Sequence, residues 1–143
     1  MRKILFLLCL LCLPVYSFDL LEGYDENIQY GYNAQGEYVP MSYGKQKVEY
    51  GYNAQGKYTP SSVGNKRINY GYNAVGSYVP TSIGDDYIQY GYNAVGEYAP
   101  SSIGNQQINY GYNAVGDYVP MSVGGHQINY GYNAQGDYVP IGF

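Results

Sequence analysis

From Ile28 onward the chain repeats every 20 residues without a single insertion or deletion. The units begin at Ile28, Val48, Ile68, Ile88, Ile108 and Ile128, and are numbered here repeats 1 to 6. Each reads Ile/Val, polar, Tyr-Gly-Tyr-Asn-Ala-x-Gly-x-Tyr-x-Pro, and five of the six continue x-Ser-x-Gly. A constant period means that every unit makes the same step in space, which is the mark of a repeat architecture. A helical unit is excluded, because each carries Gly every few residues and one Pro.

The unit reads as a β-hairpin. Asn33-Ala34-Gln35-Gly36 places Asn first and Gly fourth, as a type I turn prefers, with Gly suited to the left-handed position of a bulged hairpin loop. The same structural turn recurs at Asn53 and Gly56, Asn73 and Gly76, Asn93 and Gly96, Asn113 and Gly116, and Asn133 and Gly136. Before the turn, Ile28, Tyr30 and Tyr32 alternate with Gln29, Gly31 and Asn33, which predicts one apolar strand face. After it, Tyr38, Pro40 and Ser42 alternate with Val39, Met41 and Tyr43, and residues 42–47 are expected to form a looser return. The in-phase prolines fit a sheet edge, a strand start or a bulge, or mark the end of a short strand. One 20-residue unit is too small to support its own fold, so stability must come from neighbours. The predicted fold is all-β, with tandem 20-residue hairpins stacked into an elongated or spiral sheet, a solenoid. In such a stack, loss of one whole unit is expected to be tolerated and loss of five residues is not.

The N-terminus has a different character. Met1-Arg2-Lys3 precedes an unbroken apolar run from Ile4 to Leu13 and then Pro14-Val15-Tyr16-Ser17. This predicts a secretory signal over 1–17, cleaved before Phe18; the run is too short for a membrane span of about 20 residues. Residues 18–27 form a lead-in to the repeats over 28–143. Both cysteines, Cys9 and Cys12, fall in the leader, so the expected mature chain has neither disulfide nor thiolate metal site. It would keep five Lys/Arg against eleven Asp/Glu, a net charge of about −6 that makes nucleic acid a poor partner. Leu, Ile, Val and Phe make up only 22 of its 126 residues, and Tyr supplies the missing apolar area.

Groups for catalysis are sparse. His126 is the single His and occupies a variable position that is Gln46, Lys66, Asp86 and Gln106 in other units, so it reads as an exposed loop residue. Asp85-Asp86 reads as a solvated turn. Glu37, Glu97, Asp117 and Asp137 share a position with Lys57 and Ser77, a tolerance of charge reversal expected of exposed surface. No enzyme activity, cofactor or metal is expected. The Tyr rows carry more information, since they offer core ladders, flat platforms for sugars or cations, and phenols for oxidative coupling. Tyr30 and Tyr32 are expected in the core with Ile28. Tyr38, Tyr58, Tyr78, Tyr98, Tyr118 and Tyr138, on the Pro/Ser face, are the candidate partner contacts.

The run Tyr30-Gly31-Tyr32-Asn33-Ala34-Gln35-Gly36-Glu37-Tyr38 resembles the YD repeat, Tyr-x-Tyr-Asp-x-x-Gly at near 20-residue spacing. The resemblance covers residues 28–143 and implies spiralling β-hairpin sheets in secreted or cell-surface proteins, where they form shells or adhesive stalks. Two departures stand out: Asn33 and its equivalents replace the family's Asp, and every unit adds a Pro. Choline- and glucan-binding repeats are similar in length and aromatic content, but their Trp is absent. Curlin-type repeats share Gly and Asn, yet a Pro in every unit opposes cross-β stacking.

The expected role is that of a secreted, non-enzymatic structural or adhesive protein at a cell surface or in an extracellular matrix. Its partners would be an extracellular or cell-surface macromolecule, glycan included, and further copies of itself. A glycan- or small-ligand-binding module is the alternative. An outer-membrane β-barrel is a third reading, suggested by Val139, Ile141 and Phe143 alternating to a terminal aromatic.

Overall fold

A computed structural model describes residues 27–142; the leader, the remainder of the lead-in and Phe143 lie outside the described residues. Every described element is a β-strand. Repeat 1 forms β1 (Ile28–Tyr32) and β2 (Tyr38–Tyr43), repeat 2 forms β3 (Gln46–Tyr52) and β4 (Tyr58–Val63), and repeat 3 forms β5 (Lys66–Tyr72) and β6 (Tyr78–Ile83). Repeat 4 supplies β7 (Asp86–Tyr92) and β8 (Tyr98–Ile103), and repeat 5 supplies β9 (Gln106–Tyr112) and β10 (Tyr118–Val123). In repeat 6 the first strand is split at Ile128 into β11 (His126–Gln127) and β12 (Asn129–Tyr132), followed by β13 (Tyr138–Gly142). Neighbours in sequence are neighbours in space: β1 to β11 form one antiparallel sheet in chain order, and β12 pairs with β13.

The hairpin loop forms as its residues dictate. Gly36 N–H donates to the Asn33 carbonyl at 3.0 Å and Gly36 has φ +76°, a type I turn closed by a left-handed Gly. Asn33 Oδ1 accepts from the N–H groups of Gln35 and Glu37 at 2.9 and 3.0 Å, and this arrangement recurs in all six repeats. The return is tighter than its sequence suggests. Ser42 pairs with Lys47 and Tyr43 with Gln46, leaving a two-residue turn whose Gly44 has φ +54°, the demand of a type II′ hairpin.

Each hairpin contains a bulge that resets its faces. Gln29 lies opposite Ser42, but Tyr30 lies opposite Pro40, so Met41 is an extra residue in β2. Residues directly opposite share a face, which puts Tyr38, Pro40 and Tyr43 on the side of Ile28, Tyr30 and Tyr32. Simple alternation from Tyr38 to Tyr43 fails for this reason. The prolines are therefore strand residues beside a bulge, and all six are buried. Ile28, Val48, Ile68, Ile88, Ile108 and Ile128 pack with Tyr43, Val63, Ile83, Ile103 and Val123 in one cluster near the return ends of the strands.

Between repeats the backbone ladder is short and confined to that end, as in Ser62 opposite Arg67 and Val63 opposite Lys66. Side chains make the rest of the junction. Tyr50 OH donates to the Pro40 carbonyl at 2.7 Å, and Tyr70, Tyr90, Tyr110 and Tyr130 do the same to Pro60, Pro80, Pro100 and Pro120. Tyr30 OH donates in turn to Pro140, 110 residues away, at 2.7 Å. Gln135 Nε2 likewise meets Tyr32 OH at 2.5 Å, as Gln35 meets Tyr52. The sheet is not closed, since no described ladder joins β13 to β1. Even so, the stack of hairpins turns until repeat 6 meets repeat 1 through the contacts that join consecutive repeats.

Candidate functional site

The strands run between two edges. The loops at residues 33–37 and their equivalents form the tip edge, and the turns at 44–45 and their equivalents form the return edge. Each tip is built on three tyrosines. Tyr38 lies between the other two, stacked on Tyr30 with centroids 6.0 Å apart and edge-on to Tyr32 at 5.0 Å. The same trio occurs in every repeat, ending with Tyr130, Tyr138 and Tyr132. These are the offset and T-shaped contacts that aromatic quadrupoles favour.

Their exposure differs from the sequence-based expectation. Tyr30 and its equivalents pack against the aliphatic core, as expected. Tyr32, placed in the core by alternation alone, is 61% exposed, and Tyr52, Tyr72, Tyr92, Tyr112 and Tyr132 are 64–71% exposed. They lie beyond the last aliphatic rung, where no core remains to cover them. Tyr38, Tyr58, Tyr78, Tyr98, Tyr118 and Tyr138 are half-buried wedges, because the tip register sets Tyr38 opposite Tyr32 and Pro40 opposite Tyr30, on the same face. The outermost aromatic row is thus the Tyr32 row. Counting pairs outward from the loop, Tyr32 with Tyr38 and Tyr30 with Pro40, would have put the three tyrosines on one face with Tyr32 outermost.

Burial raises the phenols of Tyr90, Tyr110 and Tyr130 well above the ordinary value of 10.0. Neighbouring charge adds to the effect: Tyr110 and Tyr70 act on Tyr90, Glu97 and Tyr118 on Tyr110, and Tyr110 and Tyr138 on Tyr130. These three hydroxyls are donors to proline carbonyls and hold the stack together.

A shallow groove of about 340 Å³ lies between repeats 1 and 2. Tyr32, Asn33 and Met41 line one side, and Lys47, Glu49 and Tyr50 the other. Its size is at the lower end of ordinary ligand sites. At the return edge Lys66 Nζ lies 3.3 Å from Asp86 Oδ2, a half-exposed pair linking two repeats. His126, expected as an exposed loop residue, is instead half-buried at the equivalent position, the first residue of β11, opposite Val123. Among the described residues, no group of three or more His, Cys, Asp or Glu is placed to hold a metal ion, and no helix is long and apolar enough to cross a membrane. No family model, curated protein or solved structure matches the chain.

Proposed function

We propose that this chain is a secreted, non-enzymatic repeat protein with a structural or adhesive role at a cell surface or in an extracellular matrix. The observation that carries this reading is the row of six exposed tyrosines, one per repeat, held at equal steps along the tip edge. Each offers a flat amphipathic ring suited to a sugar face or a cation, weak alone and strong in combination. The basic-apolar leader supports secretion, and the YD-like pattern supports an extracellular hairpin array. A membrane barrel is not favoured, because no described strand exceeds seven residues where a wall needs roughly 9–11.

The test is retention of the secreted chain on cell surfaces and on a glycan array as one, three or all six of Tyr32, Tyr52, Tyr72, Tyr92, Tyr112 and Tyr132 become Thr. Retention should fall far more steeply than the number of rings removed, by about 100-fold or more at three, while circular dichroism keeps its β signal. Undiminished retention with all six replaced would sink the proposal. The groove between repeats 1 and 2 favours a second reading, a discrete glycan site. Saturable binding of one sugar per chain, lost on Glu49→Ala alone, would support it instead.

A further inference from the structure

The two edges carry opposite charge, and each is uneven around the ring of repeats. At the tip edge, Gln35, Gln55 and Gln135 of three adjoining repeats donate to the hydroxyls of Tyr52, Tyr72 and Tyr32. The other three repeats have Val75, Val95 and Val115 at this position, 50, 43 and 46% exposed. By the same repeat geometry these valines adjoin Tyr92, Tyr112 and Tyr132, themselves 71, 66 and 67% exposed. The loops of those three tyrosines end in Glu97, Asp117 and Asp137, all exposed. Half of the tip edge is therefore an apolar and acidic arc, with roughly 500 Å² of aromatic and aliphatic surface, enough to mark an interaction site. At the return edge, Lys47 and Arg67 are exposed on the second residues of β3 and β5, with Lys45 exposed in the turn that precedes Lys47.

We propose that these arcs bind each other between molecules, the acidic tip arc of one copy seating on the basic return arc of a second copy. The charges are complementary, and the arcs lie at opposite ends of the strands, so they do not meet within one chain. Two tip arcs face to face would set Glu97, Asp117 and Asp137 against their own copies. Arg67 and Lys47 can lay their stems along the valines and their charged ends over the tyrosine faces. The area is below the roughly 800 Å² per partner of a stable dimer, so each contact is weak. A head-to-tail contact need not close, and then it propagates into a filament. This deepens the structural reading above and rests on it.

Sedimentation of the full secreted chain tests the contact. Average mass should rise with concentration, and association should weaken at least tenfold between about 0.02 and 0.5 M salt. Val75→Gln with Val95→Gln and Val115→Gln, or Lys47→Gln with Arg67→Gln, should each weaken it by a similar factor. All five place residues that the chain already carries at equivalent positions, so the fold should persist by circular dichroism. Glu97→Lys with Asp117→Lys, and Lys47→Glu with Arg67→Glu, should each abolish self-association, and mixing these two variants should restore it. A chain that stays monomeric at every concentration, association unaffected by these variants, or a monomer that binds an oligo-arginine probe through Glu97 and Asp117 would each overturn the inference. If the chain stays monomeric yet tyrosine-dependent retention persists, the filament contact fails and the adhesive reading stands.

Discussion

Asn33 and its equivalents define each hairpin through one oxygen. The side-chain carbonyl accepts two backbone N–H groups across the loop, whereas the amide nitrogen of Asn93 is buried without a partner. An acceptor is what the position requires, so Asp, the residue of the YD pattern, should serve. Thermal melts should show Asn73→Asp, whose loop ends in Ser77 rather than a carboxylate, within about 0.5 kcal/mol of the parent and Asn73→Ala destabilised by about 1 kcal/mol. Asn33 differs, because its Nδ2 donates to Glu37 Oε2 at 3.2 Å. There Asn33→Asp sets two carboxylates together and should cost more than Asn73→Asp. The junction tyrosines set the pH range. Folding raises the phenols of Tyr90, Tyr110 and Tyr130, so the folded state holds their protons more tightly than the unfolded chain. Their contribution is complete below the unfolded value near 10 and is lost as pH climbs toward the raised folded values. Melting temperature should be insensitive to these groups from pH 8 to about 10 and fall above it.

At the scale of the hairpin, the bulge explains a glycine that looks merely repetitive. A Cβ on Gly111 would lie 3.0 Å from Met121 Cγ, and one on Gly131 would lie 2.9 Å from Ile141 Cδ1, because the bulged residue crosses over the glycine. At Gly91, where the bulged residue is Ser101, nothing lies within 4 Å. Gly91→Ala should therefore be neutral or stabilising by about 0.5 kcal/mol, whereas Gly111→Ala should cost about 1–2 kcal/mol. Equal effects of the two substitutions in a denaturant titration would refute this account of the bulge. The hairpin, its loop and its strand pairing were legible from Asn, Gly and alternation. The bulge was not, because Pro is compatible with an edge, a strand start, a strand end or a bulge, and only the partner strand distinguishes them.

At the scale of the molecule, the meeting of repeats 6 and 1 changes what a repeat deletion does. In an open stack, removing one unit costs one junction. Here it also disturbs the Tyr30–Pro140 and Gln135–Tyr32 contacts, so a five-repeat chain should melt well below the six-repeat one. A circular permutant is the stricter check. Joining Phe143 to Asn27 through Gly-Asn-Gln imitates the link at 103–107, and new ends can be placed between Gly64 and Asn65. Such a chain should keep its β signal and melt within a few degrees of the parent. A large drop in melting temperature would mean that the two terminal repeats gain little from their contact.

The sequence by itself determined the period, the hairpin unit, the turn chemistry and the aliphatic row at the head of each repeat. Those features arise from contacts within about 20 residues, where side-chain type and spacing act directly on the backbone. Tertiary structure alone decided which tyrosines face solvent and that the ends meet. The first depends on the register set at the tip loop, which pairs Tyr38 with Tyr32 on the core side and leaves the Tyr32 row beyond the last aliphatic residues. The second depends on how far each repeat turns relative to the last, which has no local signature and shows only once it has accumulated over six copies.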